Sequence, residues 1–127
     1  MELKDKIIVV TGAASGIGKA MAIRFAAEGA KCVVCADMNG DGAAETAAEM
    51  GGIAHQLNVG KEDEIKALIE KTEAEQGPID LFCSNAGISV AGGVDCTNDE
   101  WQTIWDVNVM SHVYAARLLI PRMKERG

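Results

Sequence analysis

The sequence predicts an α/β fold, a doubly wound parallel sheet with helices on both of its faces. Three observations lead there. Strand-like and helix-like segments alternate along the whole of the 127 residues, and right-handed crossovers then force the helices onto the two faces of one sheet. The first two strand segments, Ile7-Ile8-Val9-Val10 and Cys32-Val33-Val34-Cys35-Ala36, are continuously apolar, as strands buried on both faces must be. A glycine-rich turn lies directly between the first strand and the first helix.

Taken in order, the elements have local reasons. The first helix sets Ile17, Met21 and Phe25 four apart on one side, with Lys19, Arg24 and Glu28 elsewhere, and Gly29 stops it. The second strand runs from Cys32 to Ala36. An alanine-rich helix follows from about Asp41 to Met50 and ends at Gly51-Gly52. The third strand, Ile53 to Val59, alternates apolar and polar residues, which suits a sheet edge. A third helix carries Ile65, Leu68, Ile69 and Thr72 on one face and stops at Gly77-Pro78. The fourth strand covers about Asp80 to Ser84. A glycine-rich loop then reaches Thr97-Asn98-Asp99-Glu100, the spacing of a capping box, which opens one long helix to about Arg126. That helix is apolar on most of its circumference, so burial on more than one side is expected. In a dinucleotide-binding arrangement the strand order would be 3-2-1-4, with strand four left as an open edge.

Composition narrows the class. Hydrophobic residues at 48% and charged residues at 24% describe one ordinary globular domain, residues 1–127. The net charge of −7, with no basic stripe, opposes nucleic-acid binding. No apolar run approaches the roughly 20 residues of a membrane span, and Met1 to Lys6 enters a strand without a signal-like apolar region. A cytoplasmic protein is expected. Cys32 and Cys35 have CxxC spacing, but on a strand positions three apart point to opposite faces, so they cannot share a metal. Buried thiols and no metal site are the expectation.

The glycine turn is Thr11-Gly12-Ala13-Ala14-Ser15-Gly16-Ile17-Gly18. Gly12 permits a tight turn, Gly16 lets the backbone approach a pyrophosphate, and Gly18 allows close packing of the helix against the sheet. The helix start then offers amide donors and a partial positive charge to phosphates. Asp37 follows strand two, where a carboxylate accepts both ribose hydroxyls and repels a 2′-phosphate, favouring NAD over NADP. No Arg or Lys stands at Ser15 or in Met38-Asn39-Gly40 to clamp such a phosphate. Two plainer readings stand beside these: a glycine turn without a ligand, and Asp37 as a helix-capping or solvated turn carboxylate.

The glycine turn, Asp37, Ser84-Asn85-Ala86-Gly87 and Trp105-Asp106-Val107-Asn108, in that order and spacing, resemble the short-chain dehydrogenase/reductase family. The resemblance implies a Rossmann-type domain binding NAD through Gly12, Ser15, Gly16, Ile17, Gly18, Asp37 and Met38, with Asn58 and Val59 at the adenine. It implies that Asn85, Ala86 and Gly87 form the floor of the cofactor site. Asn108 would be the Asn of the catalytic tetrad, holding a water and positioning a Lys; a helix Asn that bonds a neighbouring carbonyl and kinks the helix is the plainer reading, and the two are compatible. The family more often has Asp where Asn58 stands, and Asn where Ser84 stands. It implies reversible hydride transfer between nicotinamide and a secondary alcohol or ketone, with Ile88 to Cys96 the one stretch here expected near a substrate.

The family's proton donor, a Tyr four residues before a Lys, has no counterpart. The only Tyr, Tyr114, is followed four later by Leu118. The expectation is therefore a cofactor-binding half that stops before the catalytic Ser, Tyr and Lys and is inactive alone; a non-catalytic nucleotide-binding fragment or module is the alternative. A phosphoacceptor signalling domain would need an Asp where Asn58 stands and an acidic pair at Thr11-Gly12. His112, Trp101 and Trp105 read as packing or subunit-contact residues. In the resembling family the last helix commonly packs against its symmetry mate, so a homo-oligomer is expected; the isolated chain, with an open strand edge, should self-associate or aggregate.

Overall fold

The computed structural model describes residues 1–127. Its sheet has four parallel strands in the order β3-β2-β1-β4: β1 Ile7–Thr11, β2 Cys32–Asp37, β3 Ile53–Gln56 and β4 Leu81–Cys83. Helices α1 (Gly16–Ala27), α2 (Gly40–Met50) and α3 (Glu62–Gln76) connect them, and α4 (Asn98–Trp105), a π-helical turn (Asp106–Met110) and α5 (Ser111–Arg126) follow. The predicted strand order and edge position of β3 are those observed.

Each strand of the pair β1–β2 serves two cores. Ile7 and Val9 point to the side covered by α3 and α5, where Leu68, Ile69, Ile79 and Leu119 close over them. Ile8 and Val10 point to the other side, against Ala22 of α1 and Ala47 of α2. The small side chains of α1 and α2 follow from that packing, since alanines let two helices lie close to the sheet. Cys32 and Cys35 divide between the two faces in the same way. Burial raises both thiols above their ordinary range, Cys35 to about 11, so they stay protonated and unreactive.

Three boundaries differ from the sequence expectation. β3 ends at Gln56 rather than Val59, although Leu57 and Val59 are buried. Leu57 N–H still donates to Asp37 O (3.1 Å), and then the Asn58 side chain accepts Gly60 N–H (2.9 Å) and turns the chain away. β4 is only Leu81–Cys83; just before it, Asp80 N–H donates to Ile7 O at 2.9 Å and the Asp80 carboxylate accepts Ile7 N–H at 2.9 Å, pinning the start of β1. The last helix is not one continuous α-helix. At the π turn Ser111 N–H reaches back five residues to Asp106 O, and the Ser111 hydroxyl takes over the Val107 carbonyl at 2.6 Å. The predicted Thr97–Glu100 capping box is present.

The last helix, expected to be buried on more than one side, is buried within this chain on one side only. Val107, Ala115 and Leu119 enter the core, but Trp101 and Trp105 are 52% and 54% exposed, so neither tryptophan is a core residue. Val109, Val113 and Ile120 extend the exposed apolar face. No helix is long and apolar enough to cross a membrane.

Glu73 fastens α3 to α5. It accepts from Arg122 (2.6 Å), Arg126 (3.4 Å) and the Ile79 N–H (3.2 Å). Burial pushes its carboxyl up, but the Arg122 hydrogen bond, the Ile79 N–H and the two guanidinium charges together hold it below the usual carboxylate range. A depressed carboxyl stabilises the fold fully above the unfolded-chain value, about 4.3, and loses that contribution as pH falls through the folded value. Glu73→Gln should therefore destabilise the fold by ~1–3 kcal/mol at pH 7, and the gap to the parent protein should close below about pH 4. Thermal unfolding across pH 3–8 checks this; a gap independent of pH would contradict it.

Candidate functional site

A cavity of about 600 Å³ opens at the carboxyl ends of β1, β2 and β4, the crevice where ligands of open parallel sheets bind. Its walls include Gly12, Ser15, Ile17, Gly18, Asp37, Met38, Asn58, Val59, Asn85, Ala86 and Gly87. Every residue the sequence assigned to a cofactor lines it except Gly16, which sits at the start of α1 with φ +56 and open space where a Cβ would be.

The two loops that leave β1 and β4 are joined by one hydroxyl. Thr11 Oγ1 accepts the Asn85 N–H (3.0 Å) and the Ala86 N–H (3.1 Å) and donates to Cys83 O (3.3 Å). The Asn85 amide returns a bond to Thr11 O at 3.0 Å. This contact draws the backbones so close that Gly12 has no room for a side chain: a Cβ there would lie 2.9 Å from Ala86 Cα. At Gly18 a Cβ would lie 2.1 Å from Gly12 O and 2.7 Å from the Asn85 amide. The close packing at Gly18 is thus against the turn itself and Asn85, not against the sheet.

One end of the cavity offers donors. Ser15 is extended and its side chain does not cap α1, so the first amides of that helix lack a protein partner and remain open to an anion. The glycines leave the approach to them clear. The other end offers an acceptor. Asp37 Oδ2 accepts the Ala14 N–H (3.0 Å) and Oδ1 accepts the Asn39 N–H (2.9 Å). Each carboxylate oxygen keeps a further acceptor site, so the turn-carboxylate reading and the ligand reading hold together. Asn39 in turn caps α2 by accepting Gly42 N–H at 3.0 Å. Gln56 holds the same turn from β3 by donating to Met38 O at 3.1 Å.

Asn108 does not line the cavity; it builds the wall behind it. Its amide donates to Ile88 O and accepts Ile88 N–H, both at 2.8 Å. Each polar end of the side chain is thereby tied to the Ile88 backbone, with one amide N–H and one oxygen lone pair left over. Asn108 lies in the π turn, where helical irregularities often mark functional sites.

Ile88, from the stretch expected near a substrate, also lines the cavity; sequence reasoning missed Leu57, Thr103 and Val107 as lining residues, and Thr11 as the organiser. Thr103 and Val107 are four apart on one helix face, a spacing that the assigned Asn108 makes visible in retrospect. Tyr114 packs against the core on the α5 side with Arg117 over its ring, away from the cavity. His112 is exposed, at a smaller cavity beside the open edge of β4.

Residues 6–127 match the family model described as short chain dehydrogenase. The chain is 38% identical over 135 residues to 1-deoxy-11-beta-hydroxypentalenate dehydrogenase of Streptomyces exfoliatus, covering 100% of this chain and 49% of that protein. It superposes with a TM-score of 0.90 and 36% identity on the crystal structure of 3-ketoacyl-(acyl-carrier-protein) reductase from Brucella melitensis complexed with NADH, covering 97% of this chain and 52% of the other. L-sorbose reductase from Gluconobacter frateurii complexed with NADPH and L-sorbose gives 0.86 and 30%, covering 100% and 51%. The chain spans about half the length of the relatives it matches.

The Thr11 junction makes a direct prediction. Thr11→Val keeps the volume but strands two backbone N–H groups, each costing about 1–3 kcal/mol when buried without a partner. The unfolding temperature should fall by roughly 5 °C or more, while Thr11→Ser should stay near the parent value. Equal melting of the Val and Ser variants would remove the hydroxyl from this role.

Proposed function

Since the chain belongs to the short-chain dehydrogenase family, we propose that it forms the cofactor-binding domain, residues 1–127, of an NAD-dependent oxidoreductase acting on a secondary alcohol or ketone. The observation that carries the reading is one cavity with uncapped helix amides at one end and the Asp37 carboxylate at the other. NAD, when bound, supplies hydride transfer at its nicotinamide. The chain's own residues bind and orient it.

Gly12, Ser15, Gly16, Ile17 and Gly18 receive the pyrophosphate on the amides and positive end of α1. Asp37 accepts ribose hydroxyls and repels a 2′-phosphate, and Met38 flanks the same pocket. Asn58 and Val59 meet the adenine. Asn85, Ala86 and Gly87 form the floor, held in place by Thr11. Asn108 acts as a positioning residue: by clamping Ile88 it fixes the segment after Gly87, next to where the nicotinamide and substrate would meet. The proton relay that general acid–base catalysis requires would come from outside these residues. The exposed apolar face of Trp101, Trp105, Val109 and Val113 is what a second copy of the protein would cover in a homo-oligomer.

Charge at Asp37 tests the reading. In the full-length protein, Asp37→Arg should lower kcat/KM for NAD and raise it for NADP, changing the ratio by at least about ten-fold, a difference of one charged hydrogen bond. The ratio is the quantity to read, because the variant also releases the Ala14 and Asn39 N–H groups and lowers both values. An unchanged ratio would take Asp37 out of the site.

A further inference from the structure

Ser111 carries a buried hydroxyl, in a residue 2% exposed, for which the function proposed above has no use. In a regular α-helix the Ser111 N–H would donate to Val107 O, four residues back. Here that N–H donates to Asp106 O instead, and the hydroxyl donates to Val107 O at 2.6 Å. A side chain thus supplies the carbonyl that loses its amide at the π turn.

The turn held by this hydroxyl is seated between two loops of the cavity. Val107 lies so near the loop after β3 that a Cβ on Gly60 would be 3.3 Å from its Cγ2. Asn108 lies as close to the loop after β4, where a Cβ on Gly87 would be 3.4 Å from its Oδ1. From that seat its amide makes the two 2.8 Å bonds to the Ile88 backbone. Without the hydroxyl, Val107 O regains a partner within the helix only if the turn winds back to α spacing. Rewinding rotates the residues of the turn about the axis by up to the ~100° that one residue subtends, and Asn108 loses its aim at Ile88. The rest of α5 cannot absorb that rotation, because Leu119 is in the core and Arg122 and Arg126 are bound to Glu73.

We propose that Ser111 is a positioning residue of the dinucleotide site: by locking the π turn it holds Asn108 on Ile88 and so sets the cavity wall beside the nicotinamide. This role rests on the function proposed above. When the clamp opens, binding must first re-form the wall, and the apparent affinity falls by the population lost. Calorimetric titration of the full-length protein with NADH and with ADP-ribose, which lacks the nicotinamide, tests it. Ser111→Ala should raise the dissociation constant for NADH by about five-fold, the shift that one net hydrogen bond gives, and leave that for ADP-ribose near the parent value. Asn108→Ala should show the same selective loss. The double variant should be no worse than Asn108→Ala alone, because both residues act through one contact. If Ser111→Ala does not fold, Ser111→Cys, with a weak donor at similar volume, should show the same selective loss in smaller degree. An unmoved NADH constant, an equal loss for both ligands, or a Ser111→Ala loss added in full to that of Asn108→Ala would overturn the inference and leave the proposed function standing. Failure of the parent protein to bind either ligand would overturn both.

Discussion

The site depends on one junction, the Thr11 hydroxyl that ties the loop after β1 to the loop after β4. Neighbouring parallel strands bring their carboxyl ends side by side, but their connecting loops diverge unless something holds them. Here one oxygen accepts two backbone N–H groups and donates to a third backbone group. Its effect is steric as much as energetic. With the loops this close, Gly12 and Gly18 can be nothing larger than glycine, and the first amides of α1 face a cleft rather than a side chain. A hydroxyl and two missing methyl groups thus turn a strand–helix connection into a recess fit for an anion.

Asp37 and Asn108 extend the same design. Each side chain is engaged with backbone on both of its polar ends, Asp37 with Ala14 and Asn39, Asn108 with Ile88 alone. The difference lies in where they sit: Asp37 lines the cavity with an acceptor site to spare on each oxygen, while Asn108 lies behind it and is paired with the Ile88 backbone. Asp37 is therefore placed to contact a ligand, and Asn108 to hold the wall that a ligand meets. The π turn is what lets Asn108 reach: it redirects the helix within five residues, and Ser111 satisfies the carbonyl that the irregular turn would otherwise strand.

Most of the fold was legible in the sequence because the two cores print their periods directly. Ile7 to Val10 could be read as buried on both sides, and the glycine turn could be placed between a strand and a helix. The errors have a common physical form. Leu57 and Val59 continue the alternation of β3 and are buried, so nothing in the pattern marks where the ladder stops; a side-chain bond from Asn58 to Gly60 ends it. The π turn left no trace because its residues keep helical spacing. Trp101 and Trp105 could be read as core or as subunit-contact residues, and which of the two depends on the helix face that the sheet can cover. Thr11 reads as one more β-branched strand residue, and its role emerges only when the β4 loop arrives 74 residues later.

We propose that this junction shapes a dinucleotide site along the carboxyl ends of β1, β2 and β4. Amide chemical-shift mapping by NMR during titration with NADH tests it most directly. The largest shifts should fall on residues 12–18, 37–38, 58–59 and 85–87. Shifts concentrated instead at the smaller cavity beside β4 and His112, or no saturable shifts at all, would contradict the account.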